Sequence, residues 1–371
     1  MTARPLADSP PHPLDEQLVA RVEAALAEYL AERRRYTETV HHSFTDAADA
    51  LTGFVLGGGK RIRPTFAWWG WRGAGGQPDG ALAEQVLRAV SALELVQASA
   101  LVHDDLIDAS DTRRGRPTVH VAYAARHRDR DWLGTADRFG LAAAVLIGDL
   151  ALVWADDLLH SAELPEPVRE RVRPVWAAMR TDLVGGQLLD VWGQVSGDDT
   201  AATALRVNRF KTAAYTVERP LQLGAALAGA PAQLVDAYSR FGADIGVAFQ
   251  LRDDMLGVFG DPEVTGKPAG DDLREGKRTL LMALALQAAR ERGDGAALTL
   301  LTEALGDPGL DADGVDRVRE ALCELGTSDV LEQRIEQLTE SALAALAGAE
   351  VAEPAATRLP ELAHAATRRL A

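Results

Sequence analysis

The chain has 371 residues, 47% of them hydrophobic, which is enough for a sizeable core and excludes global disorder. Its net charge of −16 repels polyanions on average and argues against nucleic acid as a partner. The single cysteine, Cys323, excludes an internal disulfide framework and fits a reducing compartment.

Alanine and leucine dominate, aromatic residues make up 5%, and β-branched runs are scarce, so helices are expected. No stretch reaches about 18 uninterrupted apolar residues, the length of a membrane span. The nearest, Gly140 to Ala155, carries Asp149 in its middle. The N-terminus shows no basic region followed by an apolar one, so the expectation is a cytoplasmic protein without a transmembrane segment.

In chain order, residues 1–13 are Pro-rich and polar and are expected to form a flexible tail, with residues 14–371 as one helical domain. Leu18, Val22, Ala25 and Leu30 predict a first helix from Leu14 to about Thr39. Next comes GGGKRIRP, Gly57 to Pro64, a turn with clustered cations opening into the apolar run FAWWGW. Phosphate capture at a loop-to-helix junction is one reading of this turn, and an exposed basic turn is the other. It is not a Walker A loop, because the glycines are too close together and no hydroxyl follows Lys60.

Residues 81–110 predict one long helix, with Val86, Val90, Leu93, Gln97, Ala100 and Asp104 down one face. Its end reads LVHDDLIDASDTRRGRPTVH. At about 100° per residue, Asp104, Asp108 and Asp111 share a narrow sector, with Asp105 beside them. Like charges so stacked destabilise a bare helix, and a hard divalent cation with oxygen ligands reverses that sign. The bland alternative is a solvated acidic helix end. Arg113 and Arg114 just beyond offer planar forks that match phosphate oxygens. The small residues Ser99 and Ala100 leave room above this site for a long apolar group, or serve close helix packing.

Arg126 to Arg138 reads as a charged loop and Leu141 to His160 as a central helix. Asp156-Asp157 in that helix lacks nearby cations and reads as an ordinary helix end. Residues 165–195 predict a helix ending in GGQLLDVWGQ, whose Gln187 and Asp190 share a face. In NRFKTAAYTVERPLQLG, Lys211, Thr212 and Tyr215 lie within about one turn, and Pro220 should kink the helix. In the stretch from Gly246 to Leu281, Gln250, Asp253 and Asp254 share a helix face. A Gly/Pro-rich segment with Lys267, Asp271, Asp272 and Lys277 follows, suited to a mobile lid. Residues 282–371 alternate Ala/Leu-rich helices with breaks and hold no catalytic constellation.

No strand-like alternation is convincing, so the expected fold is a single all-α domain with two acidic helices facing each other across a cavity. Only four of the 39 basic residues are lysine, Lys60, Lys211, Lys267 and Lys277, and each sits in one of these motifs. Two carboxylate clusters flanked by cations imply Mg²⁺, with three ions shared through a diphosphate, and not zinc. A diphosphate clamped in this way is a good leaving group, and an apolar cavity shields the hydrocarbon cation it leaves behind.

Taken together, GGGKRIRP, DDLIDASDTRRGRPT, GQLLD, KTAAY and FQLRDD followed by GKPAGDDLREGK resemble the trans-isoprenyl diphosphate synthase family, in its order, over roughly residues 50–285. The resemblance implies the all-α prenyl synthase bundle around a central cavity, usually a homodimer. It also implies head-to-tail condensation of isopentenyl diphosphate with an allylic prenyl diphosphate, with pyrophosphate released. Carried over by motif, Lys60, Arg63, Gln97 and Arg114 hold isopentenyl diphosphate. Arg113, Lys211, Thr212, Gln250 and Lys267 hold the allylic diphosphate, with Tyr215 and Asp190 nearby. Asp104, Asp108 and Asp253 are the implied direct Mg²⁺ ligands, Asp105 and Asp254 support them, and Lys277 helps close the lid. The released pyrophosphate is the implied acceptor of the final proton.

Gly257 departs from the family's fullest pattern, standing where a third aspartate follows Asp253-Asp254. In the resembling family, bulky aromatics at the fifth and fourth positions before the first aspartate stop growth at fifteen carbons. Here Ser99 and Ala100 hold those positions, which leads to the expectation of geranylgeranyl diphosphate, twenty carbons. A class I terpene cyclase shares such a fold, but it would carry an Asn/Ser/Glu metal motif on the second helix and need no GGGKRIRP cations. A non-catalytic subunit of a heteromeric synthase would have lost aspartates or cations that this chain retains.

Overall fold

The computed structural model describes residues 12–260 and 270–368. Lys267 and most of the expected tail lie outside these residues, as does the first half of the expected lid. The N-terminal helix is split in two. α1 (Pro13–Glu16) opens on Pro13 with His12 as its cap, and after Gln17 the chain continues as α2 (Leu18–Val40). Asp15 of α1 accepts from Trp68 Nε1 at 2.8 Å and pairs with Arg72, which clasps the N-terminus to the Trp-rich run. α3 (His42–Leu56) and α4 (Ile62–Gly73) flank the glycine turn between them.

α5 (Ala81–Ile107) is the central helix. Its Val86, Val90 and Leu93 are fully buried, and it packs against α2, α4 and α7 (Ala136–His160). The helix stops at Ile107, with Asp108 as its cap and Ala109 left-handed at φ 51. Asp111 therefore leaves the acidic stripe expected of it, and its carbonyl instead accepts from Thr118 N at 3.0 Å. The chain then makes a two-residue hairpin, β1 (Thr112–Arg113) against β2 (Arg116–Pro117), where no strand was expected.

The expected loop from Arg126 to Arg138 is mostly helix. α6 (Val119–Asp129) runs through its first part and leaves 130–135 as the connection to α7. The local charges misled, because Arg126 is neutralised by Asp46 while His127 is buried with its ring centroid 5.6 Å from that of Phe139. α8 (Glu166–Ser196) follows, ending at left-handed Gly197, and then α9 (Ala201–Val207).

Asn208–Glu218 is a π-helical segment, followed by α10 (Arg219–Ala228). Pro220, where a kink was expected, sits at the start of α10, directly after the change from π-helix to α-helix. Glycines let two helices press onto this segment. A Cβ at Gly186 of α8 would fall 2.1 Å from Lys211 N. One at Gly246 of α11 (Ala232–Phe259) would fall 2.5 Å from the Ala213 Cα.

Beyond α11 lie α12 (Asp271–Arg274), α13 (Leu280–Arg292), α14 (Gly295–Ala304), α15 (Ala312–Glu324), α16 (Thr327–Ala347) and α17 (Ala355–Thr367). The core has two apolar clusters. One gathers α2–α5, α7, α8, α10 and the start of α11; the other gathers the rest of α11 with α13–α16. α11 joins them, and Asp253 and Asp254 project from its second half. α5 and α7 are long and apolar enough to cross a membrane by length and composition. α5 is a buried core helix, whereas α7 leaves Leu141, Leu146 and Val153 exposed.

Candidate active site

A cavity of about 810 Å³ lies between α5, α8, the π segment and α11, within the size range of small-molecule sites. On its α5 side Asp104 accepts from Gln187 Nε2 at 3.1 Å and lies 2.9 Å from the Lys211 ammonium. Lys211 also reaches Asp190 at 2.5 Å, so the GGQLLD stretch contributes both of its polar residues here. Burial pushes the Asp104 carboxyl up, but Lys211, Lys277 and Arg113 together hold it below the usual range. Burial opposes the charge on Lys211, yet Asp104 and Asp190 outweigh it and keep the amine protonated.

Asp105 is 1% exposed and receives Arg113 Nε at 2.6 Å, which fixes that guanidinium 3.8 Å from Asp104. Asp108 stands at the helix end, 3.6 Å from Lys277. Burial, reinforced by the charge of Asp104, pushes its carboxyl up to about 6. Neither Asp105 nor Asp108 lines the cavity, and nor does Ser99, which is 4% exposed; Ala100 does line it. Of the two small residues expected to face a substrate tail, only Ala100 lines the cavity.

On the α11 side Thr212 donates to Gln250 Oε1 at 2.7 Å, and Gln250 donates to Asp254 Oδ1 at 2.7 Å. The other oxygen of Asp254 is buried with no hydrogen-bond partner. Burial, with Asp272 and Asp253 adding to it against the Gln250 hydrogen bond, pushes Asp254 up to about 7. Asp253 lines the cavity beside it. Lys277 bridges the two halves, reaching Glu275 at 2.5 Å and Asp272 at 3.3 Å as well as Asp108. Glu275 in turn accepts from Ser110 at 3.1 Å, a tie between the α5 end and the segment after α11 that the sequence did not suggest.

The third group of polar residues forms the rim. Tyr215 donates to Gln97 Oε1 at 2.7 Å, and the Arg63 guanidinium lies 4.1 Å over the Tyr215 ring while donating to Thr216 at 2.8 Å. Lys60 is exposed at the mouth, and Arg114, on the β-hairpin turn, donates to the Gly58 carbonyl. Asp156 lies apart from the cavity, pairing with Arg180 and accepting from Trp176, as an ordinary helix end would.

Among the described residues, no three carboxylate, histidine or cysteine groups stand close enough to hold a metal by themselves. The donor set nevertheless fits Mg²⁺. It consists of carboxylate oxygens on two facing helices with one buried oxygen unpartnered, and a diphosphate between them would complete the coordination. Carboxylates from two helices in a cavity lined both by cations and by Leu101, Leu183 and Phe249 fit a class of transferases acting on diphosphate esters.

The comparisons narrow that class. The polyprenyl synthetase family matches residues 41–319, and the chain belongs to it. It is 45% identical, with a TM-score of 0.91, to a geranylgeranyl pyrophosphate synthase from Corynebacterium glutamicum solved with isoprenyl diphosphate and magnesium. That match covers 97% of this chain and 100% of the other. It is 31% identical to geranylfarnesyl diphosphate synthase of Aeropyrum pernix, covering 79% of this chain and 86% of that one. It is 34% identical to heptaprenyl diphosphate synthase component 2 of Geobacillus stearothermophilus, covering 70% and 72%. The fold is the all-α isoprenoid synthase fold, and the protein is a prenyltransferase.

Proposed function

We propose that the protein condenses isopentenyl diphosphate with an allylic diphosphate, up to farnesyl diphosphate, to make geranylgeranyl diphosphate. The observation that carries this is that two sets of anion-binding side chains line one cavity. Lys60, Arg63, Gln97 and Arg114 come from the GGGKRIRP stretch, α5 and the hairpin, and Lys211, Thr212 and Gln250 come from the π segment and α11. The first group takes isopentenyl diphosphate and the second, with Arg113 and Lys267, takes the allylic diphosphate. A cyclase would have no use for the first group.

Asp104, Asp108 and Asp253 would hold Mg²⁺, three ions in all, with Asp105 and Asp254 behind them. Bound there, the metal would neutralise charge on the departing diphosphate. Lys211, held protonated by Asp104 and Asp190, supplies a fixed positive charge at the same place. Leu101, Leu183 and Phe249 wall the cavity with apolar surface and keep water from the hydrocarbon cation. The departing pyrophosphate takes the final proton, so no separate base is needed.

The exposed apolar residues of α7, together with Leu188 and Trp192 of α8, support a homodimer built on those helices rather than a membrane span. The relative named component 2 supports a heteromeric alternative, but this chain keeps both carboxylate clusters and the rim cations. Incubating the purified chain alone with Mg²⁺, isopentenyl diphosphate and geranyl diphosphate, with products read by mass spectrometry, tests the reaction and its product length. A twenty-carbon diphosphate is expected. A product stopped at fifteen carbons overturns the chain length, and no extension by the chain alone overturns the self-sufficient enzyme.

A further inference from the structure

The turn carries three clustered cations, Lys60, Arg61 and Arg63, but Arg61 is spent elsewhere. It is 4% exposed and sits in the left-handed region at φ 48, a conformation most non-glycine residues avoid. Its Nη1 donates to Glu94 Oε2 at 2.8 Å. Its Nε and Nη2 both donate to Glu23 Oε1 at 3.2 Å, and Nη2 also donates to the Val55 carbonyl at 2.9 Å. A guanidinium has five N–H donors, so these bonds leave little for a substrate. Glu94 is itself 7% exposed, an acidic residue within the apolar stretch of α5 one turn before Gln97.

A second strand of evidence comes from Arg114. It donates to the Gly58 carbonyl, and its guanidinium lies 3.3 Å from where a Cβ at Gly59 would be. Burial and the charges of Arg113 and Arg61 press its pKa downward, while Glu94 opposes them. Glu94 therefore bonds the loop cation Arg61 directly and, with Asp105, favours the charge on the hairpin cation Arg114 at longer range.

We infer that Glu94 and Arg61 are positioning residues: the buried pair, with Glu23 as its outer arm, sets the backbone of the glycine loop so that Lys60, Arg63 and Arg114 converge on one diphosphate. This inference rests on the isopentenyl-side reading of that cation group and deepens it. Removing one member of a buried, hydrogen-bonded charge pair frees the other and the loop it holds.

Glu94→Gln discriminates by the sign of its effect. Simple electrostatics predicts that losing a negative charge beside an anion site tightens binding. The positioning role predicts the opposite. Calorimetric titration of the Mg²⁺-loaded chain with isopentenyl diphosphate should show binding weakened by about tenfold or more in Glu94→Gln. The KM for isopentenyl diphosphate should rise likewise, with kcat and the KM for farnesyl diphosphate within about twofold of wild type. The double variant Arg61→Gln with Glu94→Gln restores an uncharged, hydrogen-bonding pair and should recover most of the lost affinity. Unchanged or tighter binding in Glu94→Gln overturns the inference, as does a double variant no better than the single. If Glu94→Gln does not fold, the half-exposed arm decides: Glu23→Gln should weaken binding in the same sense, and binding equal to wild type overturns the inference. A wild-type chain that binds no isopentenyl diphosphate overturns the underlying reading as well, and so is told apart from a failure of the positioning role alone.

Discussion

The carboxylate of Asp272 occupies the space that a side chain at Gly257 would fill: a Cβ built on Gly257 falls 2.1 Å from Asp272 Oδ2 and 2.9 Å from its Cγ. The contact is reinforced by Gly270 N donating to the Gly257 carbonyl at 3.0 Å, which lays the segment after α11 back onto it. The absent third aspartate is thus matched by a carboxylate from another part of the chain, and Asp272 in turn holds Lys277. Gly257→Asp should not improve the motif. It should displace Asp272 and Lys277 and lower turnover by about ten- to hundredfold, the usual effect of disturbing groups that support a metal site. Steady-state kinetics across a Mg²⁺ titration checks this, and a variant as active as wild type would sink it.

Asp104 and Lys211, 2.9 Å apart, form the charge pair at the centre of the site. Asp104→Asn removes a proposed metal ligand and leaves Lys211 with Asp190 as its remaining close carboxylate. Turnover should fall by about a thousandfold or more, while far-UV circular dichroism stays that of the wild type. Full activity in this variant would remove Asp104 from the proposed metal site.

The motifs were legible because each depends on local spacing. Asp104 with Gln97, and Gln250 with Asp253 and Asp254, need only the helical repeat to share a face. What sequence could not reveal was which charges are already spent. Arg61 reads like Lys60 until Glu23 and Glu94, far away in the chain, are seen to hold it. The Ser110–Glu275 tie spans 165 residues and has no local signature. The π segment escaped notice because nothing in the KTAAY stretch marks it, and the close approach of Gly186 and Gly246 to it is a tertiary contact. Glu94 did leave a signal: an acidic residue in the apolar run of α5.

Two raised carboxyls predict how metal and pH couple. Asp108 is pushed up to about 6 and Asp254 to about 7, from an ordinary 3.8, chiefly by burial in both cases. A raised folded pKa means that the folded chain binds its proton more tightly than the unfolded chain. The stability so conferred is fully present below the ordinary value and is lost as pH rises through about 6 and about 7. Mg²⁺ held at the proposed site would favour the ionised form of both and should offset that loss. Stabilisation by Mg²⁺ over chelator, read from thermal melts, should therefore be larger at about pH 7.5 than at about pH 5.5. Equal stabilisation at both would contradict it. Asp254→Asn should flatten the chelator-side pH dependence, since it removes one of the two groups.

Product length should respond to Ala100 more cleanly than to Ser99. Ala100 lines the cavity beside Leu101 and Leu183, so a phenylalanine there projects into space that a growing chain would occupy. Ser99 is buried outside that lining, where added bulk forces neighbouring side chains off their rotamers at a cost of about 1–3 kcal/mol. Ala100→Phe should shift the main product to a shorter prenyl diphosphate with little loss of melting temperature. Ser99→Phe should lower the melting temperature, and any shortening it produces should be smaller. Mass spectrometry of products and a thermal melt of each variant separate the two effects. Unchanged length in Ala100→Phe would place the end of the cavity elsewhere, and a stronger shortening by Ser99→Phe would show that the tail runs behind α5 and not along its cavity face.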